Sequence, residues 1–335
     1  MRIVFFGTPD YVLPILDSLH KVFRIKGEKS PVVAVVTQSP KPIGREKFIH
    51  YSDVDTWAYK RKIPVFFDSR ELVKNNIEAD IGILAAYGSI IPKDVIEYFA
   101  KGILNIHPSL LPAWRGASPI QATIVAGDTT TGATIIKLDE ELDHGPIISQ
   151  FKEDILPDDT TDTLRNRLFE RAAEVIKTLL PAYLKGKITL RPQEHEKATF
   201  TTLLKKDYAF IPPEYLDACL RGRTLQVTDP EGSKTRRGAT FKGKWEIGFI
   251  KGCTLNPNPY TLERFIRAML PWPTAWSTIR IPGDKETKRL KILKAHLEPS
   301  TTSHQSLVID EVQLEGKSPA PYKQFKEAYP DAIFK

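Results

Sequence analysis

The first 150 residues alternate short apolar runs with segments in which apolar residues recur at helical spacing. The clearest helical pattern is residues 14–22, which follow the first of these runs. Because strands that alternate with helices pair in parallel, this order predicts an α/β fold with a Rossmann-like, mostly parallel sheet and helices on both faces. The predicted strands are residues 2–6, 32–37, 63–67, 81–86, 102–107, 134–138 and 147–153.

A long helical pattern at residues 161–184 closes this region, with Thr161 as its predicted N-cap. Residues 189–206 then show no strong period and are predicted to be a connector. The rest of the chain has a helical pattern at 262–269 and several short β-rich runs, which together predict a smaller C-terminal β-barrel. Those runs are residues 238–245, 276–281, 290–297 and 306–313. The predicted domains are therefore residues 1–188 and 207–335.

Three polar side chains stand out between residues 105 and 143. Asn105 and His107 are two positions apart at a predicted strand end, so their side chains share a face. Asn105 can donate two hydrogen bonds, His107 can donate or become cationic, and Asp143 can orient His107 or accept a proton through water. These groups suit acyl transfer, which needs a donor to the oxyanion and an acceptor for a proton. The alternative is that His107 is a structural histidine beside a turn.

The residues around this set resemble a known family. The sequence NIHPSLLPAWRGASPI starts at Asn105, and LDHG follows at 142–145. Together they resemble the 10-formyltetrahydrofolate-dependent formyltransferases. Four further segments are similar to that family: residues 2–10, 85–92, 198–205 and 267–276. The last two lie outside the catalytic domain that the family shares, and they resemble the members that act on methionyl-tRNA. Most of the chain can be matched, apart from a stretch near 211–255.

The resemblance implies an enzyme that transfers the formyl group of 10-formyltetrahydrofolate to the α-amine of methionyl initiator tRNA. The product would be N-formylmethionyl-tRNA for translation initiation. It implies that residues 1–188 are the catalytic domain and that 207–335 are an oligonucleotide-binding (OB)-like barrel that contacts tRNA, with an unusual insertion near 211–255. Asn105, His107 and Asp143 align with the family's catalytic set, and no metal is implied.

The resemblance also implies a folate site built from three loops. The loop after the predicted strand 81–86 would hold the pterin, although an ordinary strand-to-helix turn has the same pattern. Glu141 and His144 depart from the small residues that are common in the family, and each is either a surface charge or a change in the folate loop. The implied folate-binding residues are Tyr87, Gly88, Ile90, Ile91, Ser109, Leu110, Leu111, Pro112, Asp139, Glu140, Glu141 and Leu142.

The net charge of +7 lies in residues 201–335, because basic and acidic side chains balance in residues 1–200. A basic C-terminal part favours a polyanionic partner, and the alternative is a solvated lysine-rich surface. The loop at 40–47 resembles one that the family inserts at the tRNA acceptor end, while residues 234–245 suit either a further tRNA contact or a solvated hairpin. The predicted nucleic-acid contacts are Lys41, Arg45, Lys47, Lys234, Arg236, Arg237, Lys242 and Lys244.

Other features bear on location and on competing functions. No apolar run reaches about 18 residues, no leader pattern precedes the first strand, and Cys219 and Cys253 are far apart in the sequence. We expect a cytoplasmic protein without a membrane partner, and a monomer. The competing functions are formyl transfer to a small amine such as a glycinamide ribonucleotide or an aminosugar, formyltetrahydrofolate hydrolysis, and an inactive RNA-binding module.

Overall fold

The structure is a computed structural model that describes residues 1–24, 30–43, 46, 48–221, 245–298 and 306–335. In chain order, its strands are β1 (Ile3–Phe6), β2 (Val32–Val36), β3 (Lys41–Ile43), β4 (Phe48–His50), β5 (Val65–Phe66), β6 (Ile81–Leu84), β7 (Ile103–His107), β8 (Arg115–Gly116), β9 (Thr130–Lys137), β10 (Ile147–Asp154), β11 (Phe200–Thr201), β12 (Trp245–Glu246), β13 (Thr254–Leu255), β14 (Trp276–Arg280), β15 (Lys288–Leu297), β16 (Leu307–Leu314), β17 (Ala320–Pro321) and β18 (Ile333–Phe334). Its α-helices are α1 (Leu13–Val22), α2 (Asp53–Tyr59), α3 (Arg70–Lys74), α4 (Lys93–Tyr98), α5 (Pro119–Ala126), α6 (Thr161–Leu184), α7 (Pro213–Leu220), α8 (Pro259–Ala268) and α9 (Tyr322–Ala328). Short 3₁₀ helices lie at Asp10–Val12, His195–Lys197 and Lys206–Ala209.

The chain divides into two compact units that interleave in sequence. The first unit consists of Met1–Arg115, Thr130–Asp154 and Arg165–Thr199. The second consists of Gly116–Thr129, Ile155–Leu164 and Phe200–Lys335. The chain therefore enters the second unit twice before residue 200, and each unit is assembled from segments that are distant in the sequence.

The first unit is built on a sheet of seven strands, counted within the described ranges, in the order β10-β9-β7-β6-β1-β2-β5. Parallel pairs join β5, β2, β1, β6 and β7, whereas β9 runs antiparallel to both β7 and β10. The predicted mostly parallel α/β sheet is confirmed. The chain passes from β1 to β2 and β5 on one side and then returns to β6 and β7 on the other. In sheets of this kind, ligands bind at the carboxyl ends of the strands where the order reverses.

Alternation along the strands gives this sheet two apolar faces. Ile3 and Phe5 point into one cluster, to which α1, α2 and α6 contribute, and Val4 and Phe6 point into another, to which α3 and α4 contribute. Because successive side chains of a strand lie on opposite faces, a sheet covered on both sides needs an unbroken apolar run. The four residues of β1 form such a run, and all of them are buried.

The long helix α6 begins as predicted, but its cap is one residue earlier. Thr160 Oγ1 accepts a hydrogen bond from the backbone N–H of Thr163 at 3.3 Å, and Thr163 Oγ1 accepts one from the Thr160 N–H at 2.9 Å. These reciprocal bonds satisfy two N–H groups at the helix start. The Thr161 hydroxyl instead donates to the carbonyl of Ala268 at 2.7 Å. The prediction of Thr161 as N-cap was wrong, because the sequence pattern does not distinguish adjacent threonines.

The second unit contains an antiparallel sheet of five strands, counted over the part of it that the structure describes, in the order β17-β16-β15-β14-β18. This sheet lies in the C-terminal region that the sequence predicted to be rich in β-strands. Helix α8 begins after Asn258, which exchanges a reciprocal pair of capping hydrogen bonds with Thr261. Phe265 of α8 is buried, with its ring 4.6 Å from that of Trp245. The predicted strand at 238–245 lies mostly outside the described residues.

Candidate active site

Strand β7 carries two buried polar side chains to the carboxyl edge of the sheet. Asn105 and His107 alternate along the strand with Leu104 and Ile106, which pack in an apolar cluster. Because side chains two positions apart share a face, Asn105 and His107 both point away from that cluster. The strand ends at His107, immediately before Pro108, so the two side chains lie where the sheet opens into loops.

Asp143 approaches these side chains from a loop 38 residues after Asn105. Asn105 Nδ2 donates to Asp143 Oδ1 at 3.1 Å, and His107 Nδ1 lies 3.5 Å from the same oxygen. Asp143 is buried, and its backbone has φ of 49°, in the left-handed region that aspartate adopts more readily than most residues. The structure therefore brings together the three side chains that the sequence predicted to be catalytic.

The hydrogen bond to Trp114 determines which ring nitrogen of His107 carries a hydrogen. His107 Nε2 lies 3.0 Å from the carbonyl oxygen of Trp114, and a carbonyl can only accept, so Nε2 donates. The other nitrogen, Nδ1, faces Asp143. It is an acceptor when the ring is neutral and a second donor when the ring is cationic. The ring can therefore accept a proton at Nδ1, and as a cation it can donate from Nδ1 to an oxyanion while keeping its hydrogen bond to Trp114.

A second set of polar side chains supports this site, and our sequence reasoning missed it. Arg115 is buried and donates to Gln193 Oε1 from Nε at 3.2 Å and from Nη2 at 2.6 Å. Gln193 Nε2 donates to the carbonyls of Asp143 and Gly145, each at 2.8 Å. Burial lowers the pKa of Arg115, and the neighbouring carboxylates, Asp143 foremost, act in the opposite direction. Arg115 lies inside the recognised motif, but Gln193 lies in the predicted connector, where no pattern marks it.

The loop after β6 holds the first group of predicted folate residues. Tyr87 and Ile91 are buried in an apolar cluster, and burial raises the pKa of Tyr87. Thr8 Oγ1 donates to the carbonyl of Tyr87 at 2.9 Å, which joins the ends of β1 and β6. Gly88 has φ of 81°, which favours glycine. Ile90 is 93% exposed, so it is the side chain of this group most available to a ligand.

The second predicted folate segment, residues 109–112, forms a turn that is bonded to β9. Thr134 Oγ1 donates to the carbonyl of Ser109 at 2.6 Å and accepts from the N–H of Leu111 at 3.0 Å. Ser109 and Leu111 are buried, while Leu110 and Pro112 are half-buried. The hydrogen bonds therefore fix the backbone of this turn, and Leu110 and Pro112 keep some surface for a ligand.

The third predicted folate segment is the loop of Asp139, Glu140, Glu141 and Leu142. The carboxylate of Glu140 lies 2.7 Å from Nζ of Lys93, the first residue of α4. This ion pair links the third folate segment to the helix that follows the loop after β6. Leu142 is 62% exposed, and Glu141 is also exposed. His144, just beyond the loop, is half-buried and places Nδ1 2.7 Å from Asp139 Oδ2.

The predicted nucleic-acid contacts are mostly not described by the structure. Lys41 is exposed in β3, which pairs with β4 in a hairpin that also exposes Phe48 and Ile49. The remaining predicted contacts lie outside the described residues: Arg45, Lys47, Lys234, Arg236, Arg237, Lys242 and Lys244. Their role stays a prediction.

The described ranges contain neither a metal-binding cluster nor a membrane-spanning helix. No group of three or more histidine, cysteine or acidic side chains there has a geometry that could hold a metal ion. None of the helices in those ranges is both long and apolar enough to cross a bilayer.

This fold and this site define the class of protein. Residues 1–180 match the formyl transferase family, and the chain belongs to that family of enzymes. Among its relatives, the methionyl-tRNA formyltransferase of Buchnera aphidicola subsp. Schizaphis graminum (strain Sg) is 33% identical, over 95% of this chain and 92% of the relative. The methionyl-tRNA formyltransferase of Chloroflexus aggregans (strain MD-66 / DSM 9485) is 39% identical, over 90% and 82%. A solved methionyl-tRNA formyltransferase from Clostridium thermocellum shares the fold, with a TM-score of 0.53 and 17% identity over 94% of this chain and 98% of that one.

Proposed function

We propose that this protein transfers the formyl group of 10-formyltetrahydrofolate to the α-amine of methionine esterified to initiator tRNA. The meeting of Asn105, His107 and Asp143 at the end of β7, in a member of the formyl transferase family, carries this proposal. The relatives named above match the chain well beyond residue 180, and they are methionyl-tRNA formyltransferases. That extent of similarity favours a tRNA acceptor over a small amine.

In this proposal, each of the three side chains has a role in the reaction. The neutral amine attacks the formyl carbon and forms a C–N bond, while the carbonyl electrons move to the oxygen. The Asn105 amide and a cationic His107 donate to this oxyanion, and Asp143 stabilises the cationic ring. Asp143 also takes the amine proton through water. The bond from the formyl carbon to the folate nitrogen then breaks, and tetrahydrofolate leaves with the electron pair and a proton.

The proposed folate site consists of the three loops at the carboxyl edge of the sheet. Ile90 and Leu142 are exposed apolar side chains on two of these loops, and such side chains gain contact when a flat heterocycle binds. The buried residues Tyr87, Ser109 and Leu111 would shape the loops from within. In this assignment, residues 1–188 are the catalytic domain, 189–206 the connector and 207–335 the tRNA-binding domain.

The proposed partners are the folate donor and methionyl initiator tRNA, with a monomeric enzyme in the cytoplasm. Both cysteines are free thiols, which agrees with a reducing compartment. Burial raises the pKa of Cys219 to about 12, so its thiol stays protonated and unreactive at neutral pH.

One assay tests the proposed function directly. The protein is incubated with 10-formyltetrahydrofolate and with charged initiator or elongator methionyl-tRNA, and formylmethionine is measured after mild hydrolysis. We expect formylation of the initiator tRNA and much less of the elongator tRNA. Glycinamide ribonucleotide and an aminosugar nucleotide serve as alternative acceptors. If neither tRNA were formylated, the proposal would be contradicted. Efficient formylation of a small amine would instead identify that amine as the acceptor.

Lys41 offers a test of the proposed tRNA surface within the described residues. Replacing it with alanine removes one exposed cation from the β3–β4 hairpin, so the slope of log affinity against log salt concentration should decrease by about one. Binding of initiator tRNA is measured by filter retention at several salt concentrations. Lys177→Ala, which removes a lysine that pairs with Glu174 on α6, is the matched control. An unchanged slope for the Lys41 variant would count against its contact with phosphate.

A further inference from the structure

Two histidines stack beside the candidate active site, and neither has a role in the reaction as proposed above. The rings of His144 and His195 lie with their centroids 3.9 Å apart and their planes 9° from parallel. His144 is in the chain between β9 and β10, and His195 opens the 3₁₀ helix His195–Lys197. Both belong to the first compact unit. Because the rings are in face-to-face contact, each restricts the rotation of the other.

The hydrogen bonds of the two rings show which nitrogens carry hydrogens. Arg115 Nη2 lies 2.8 Å from His195 Nδ1, and a guanidinium can only donate, so His195 Nδ1 accepts and carries no hydrogen. His195 is therefore neutral, with its hydrogen on Nε2. His144 Nδ1 lies 2.7 Å from the Asp139 carboxylate, which accepts, so His144 Nδ1 does carry a hydrogen. Any positive charge in the stack belongs to His144.

The neutral ring is connected to the reacting groups through Arg115. Arg115 directly follows Trp114, whose carbonyl accepts the hydrogen bond from His107 Nε2 at 3.0 Å. Arg115 also donates to Gln193, which holds the backbone of the loop that carries Asp143. A displaced guanidinium would therefore disturb both the ring of His107 and the path of the Asp143 loop. Catalytic groups tolerate little displacement, so their supporting contacts matter for rate.

We propose that His195, held by its stack on His144, is a positioning residue for formyl transfer. By accepting a hydrogen bond from Arg115, it keeps the guanidinium, and through it His107 and Asp143, in the arrangement that the reaction needs. This inference rests on the proposed function. The bond involves a buried cation, which makes it a stronger constraint than a bond between neutral groups.

Two substitutions at His195 test the hydrogen-bond acceptor and the aromatic ring one at a time. His195→Asn keeps an acceptor at the position of Nδ1 and removes the ring, whereas His195→Phe keeps a ring and removes the acceptor. Loss of a hydrogen bond to a charged group should lower kcat of the phenylalanine variant about tenfold or more, with KM for 10-formyltetrahydrofolate changed less than about twofold. The asparagine variant should stay within about threefold of the unmodified enzyme. His296→Phe, at an exposed histidine that pairs with Asp310, is the matched control.

Two results would overturn the inference. One is an unchanged kcat in His195→Phe. The other is an equal loss of kcat in both variants that parallels an equal fall in Tm, because that pattern indicates a structural role alone.

A readout that does not depend on activity completes the test. Hydrogen–deuterium exchange of the backbone at residues 138–147 should be faster in His195→Phe than in His296→Phe, because the loop of Asp143 loses its indirect support. Unchanged exchange in that segment would also overturn the inference. If the unmodified protein formylates no methionyl-tRNA, the proposed function fails, while the exchange experiment still decides whether His195 positions the loop.

Discussion

An Asp143→Asn protein should fold normally and lose formyl transfer by about a thousandfold, within the range of 10²–10⁴ typical of general acid–base groups. The amide has nearly the same shape as the carboxylate, and its oxygen can still accept from Asn105 Nδ2. It has no charge, so it neither favours the cationic form of His107 across the 3.5 Å between Nδ1 and Oδ1 nor takes up a proton. The measurement is kcat for methionyl initiator tRNA at saturating donor, together with thermal unfolding.

Asp310→Asn provides the control for this substitution. Asp310 is a partly exposed carboxylate that also pairs with a histidine, His296, but it lies on β16 in the second compact unit. The Asp310→Asn variant should retain full activity. If Asp143→Asn retained a tenth or more of the activity of the unmodified enzyme, Asp143 would have no place in the proposed chemistry.

A Phe6→Ala substitution should lower the free energy of unfolding by about 3–5 kcal/mol, the range typical of a buried phenylalanine. Phe6 is fully buried in β1, and its ring meets those of Tyr87 and Phe99 edge-on, each at 5.9 Å between centroids. The cavity would lie directly beneath the loop after β6, so KM for the folate donor should rise as well. Urea unfolding and donor titration measure the two effects.

Phe48→Ala is the matched control for stability. Phe48 is 71% exposed in β4, and its truncation should change the free energy of unfolding by less than about 0.5 kcal/mol. A Phe6 variant as stable as the Phe48 variant would mean that the loop after β6 doesn't depend on packing against β1. In that case the proposed folate site would need another source of rigidity.

The sheet and its site differ in how far the sequence could predict them. Asn105 and His107 could be placed on one face at a strand end, because a period of two follows from strand geometry. Nothing local predicts that Asp143 returns to them, since that depends on the antiparallel pairing of β9 with β7 and on the loop beyond. The residue types suggested that the three side chains could act together, and the family resemblance aligned them as one catalytic set.

The supporting groups were missed for a different physical reason. Gln193 and His195 act through a few hydrogen bonds made outside the strands and α-helices, and such contacts impose no period on the neighbouring residues. Glu141 and His144, the two residues that depart from the family pattern near the folate loop, could not be told apart from the sequence either. Glu141 is an exposed charge, whereas His144 is half-buried against His195, although the same two alternatives were open for both residues from the sequence alone.

The interleaving of the two compact units has a consequence for synthesis on the ribosome. Helix α5 belongs to the second unit, where its residues Ile120, Ile124 and Val125 are buried and it packs against α8. Its partner helix begins at Pro259, more than a hundred residues later in the chain. At roughly 5–20 residues per second, α5 waits on the order of ten seconds for that partner. Throughout this interval, the apolar side chains of α5 lack the surface of α8 against which they pack in the complete fold.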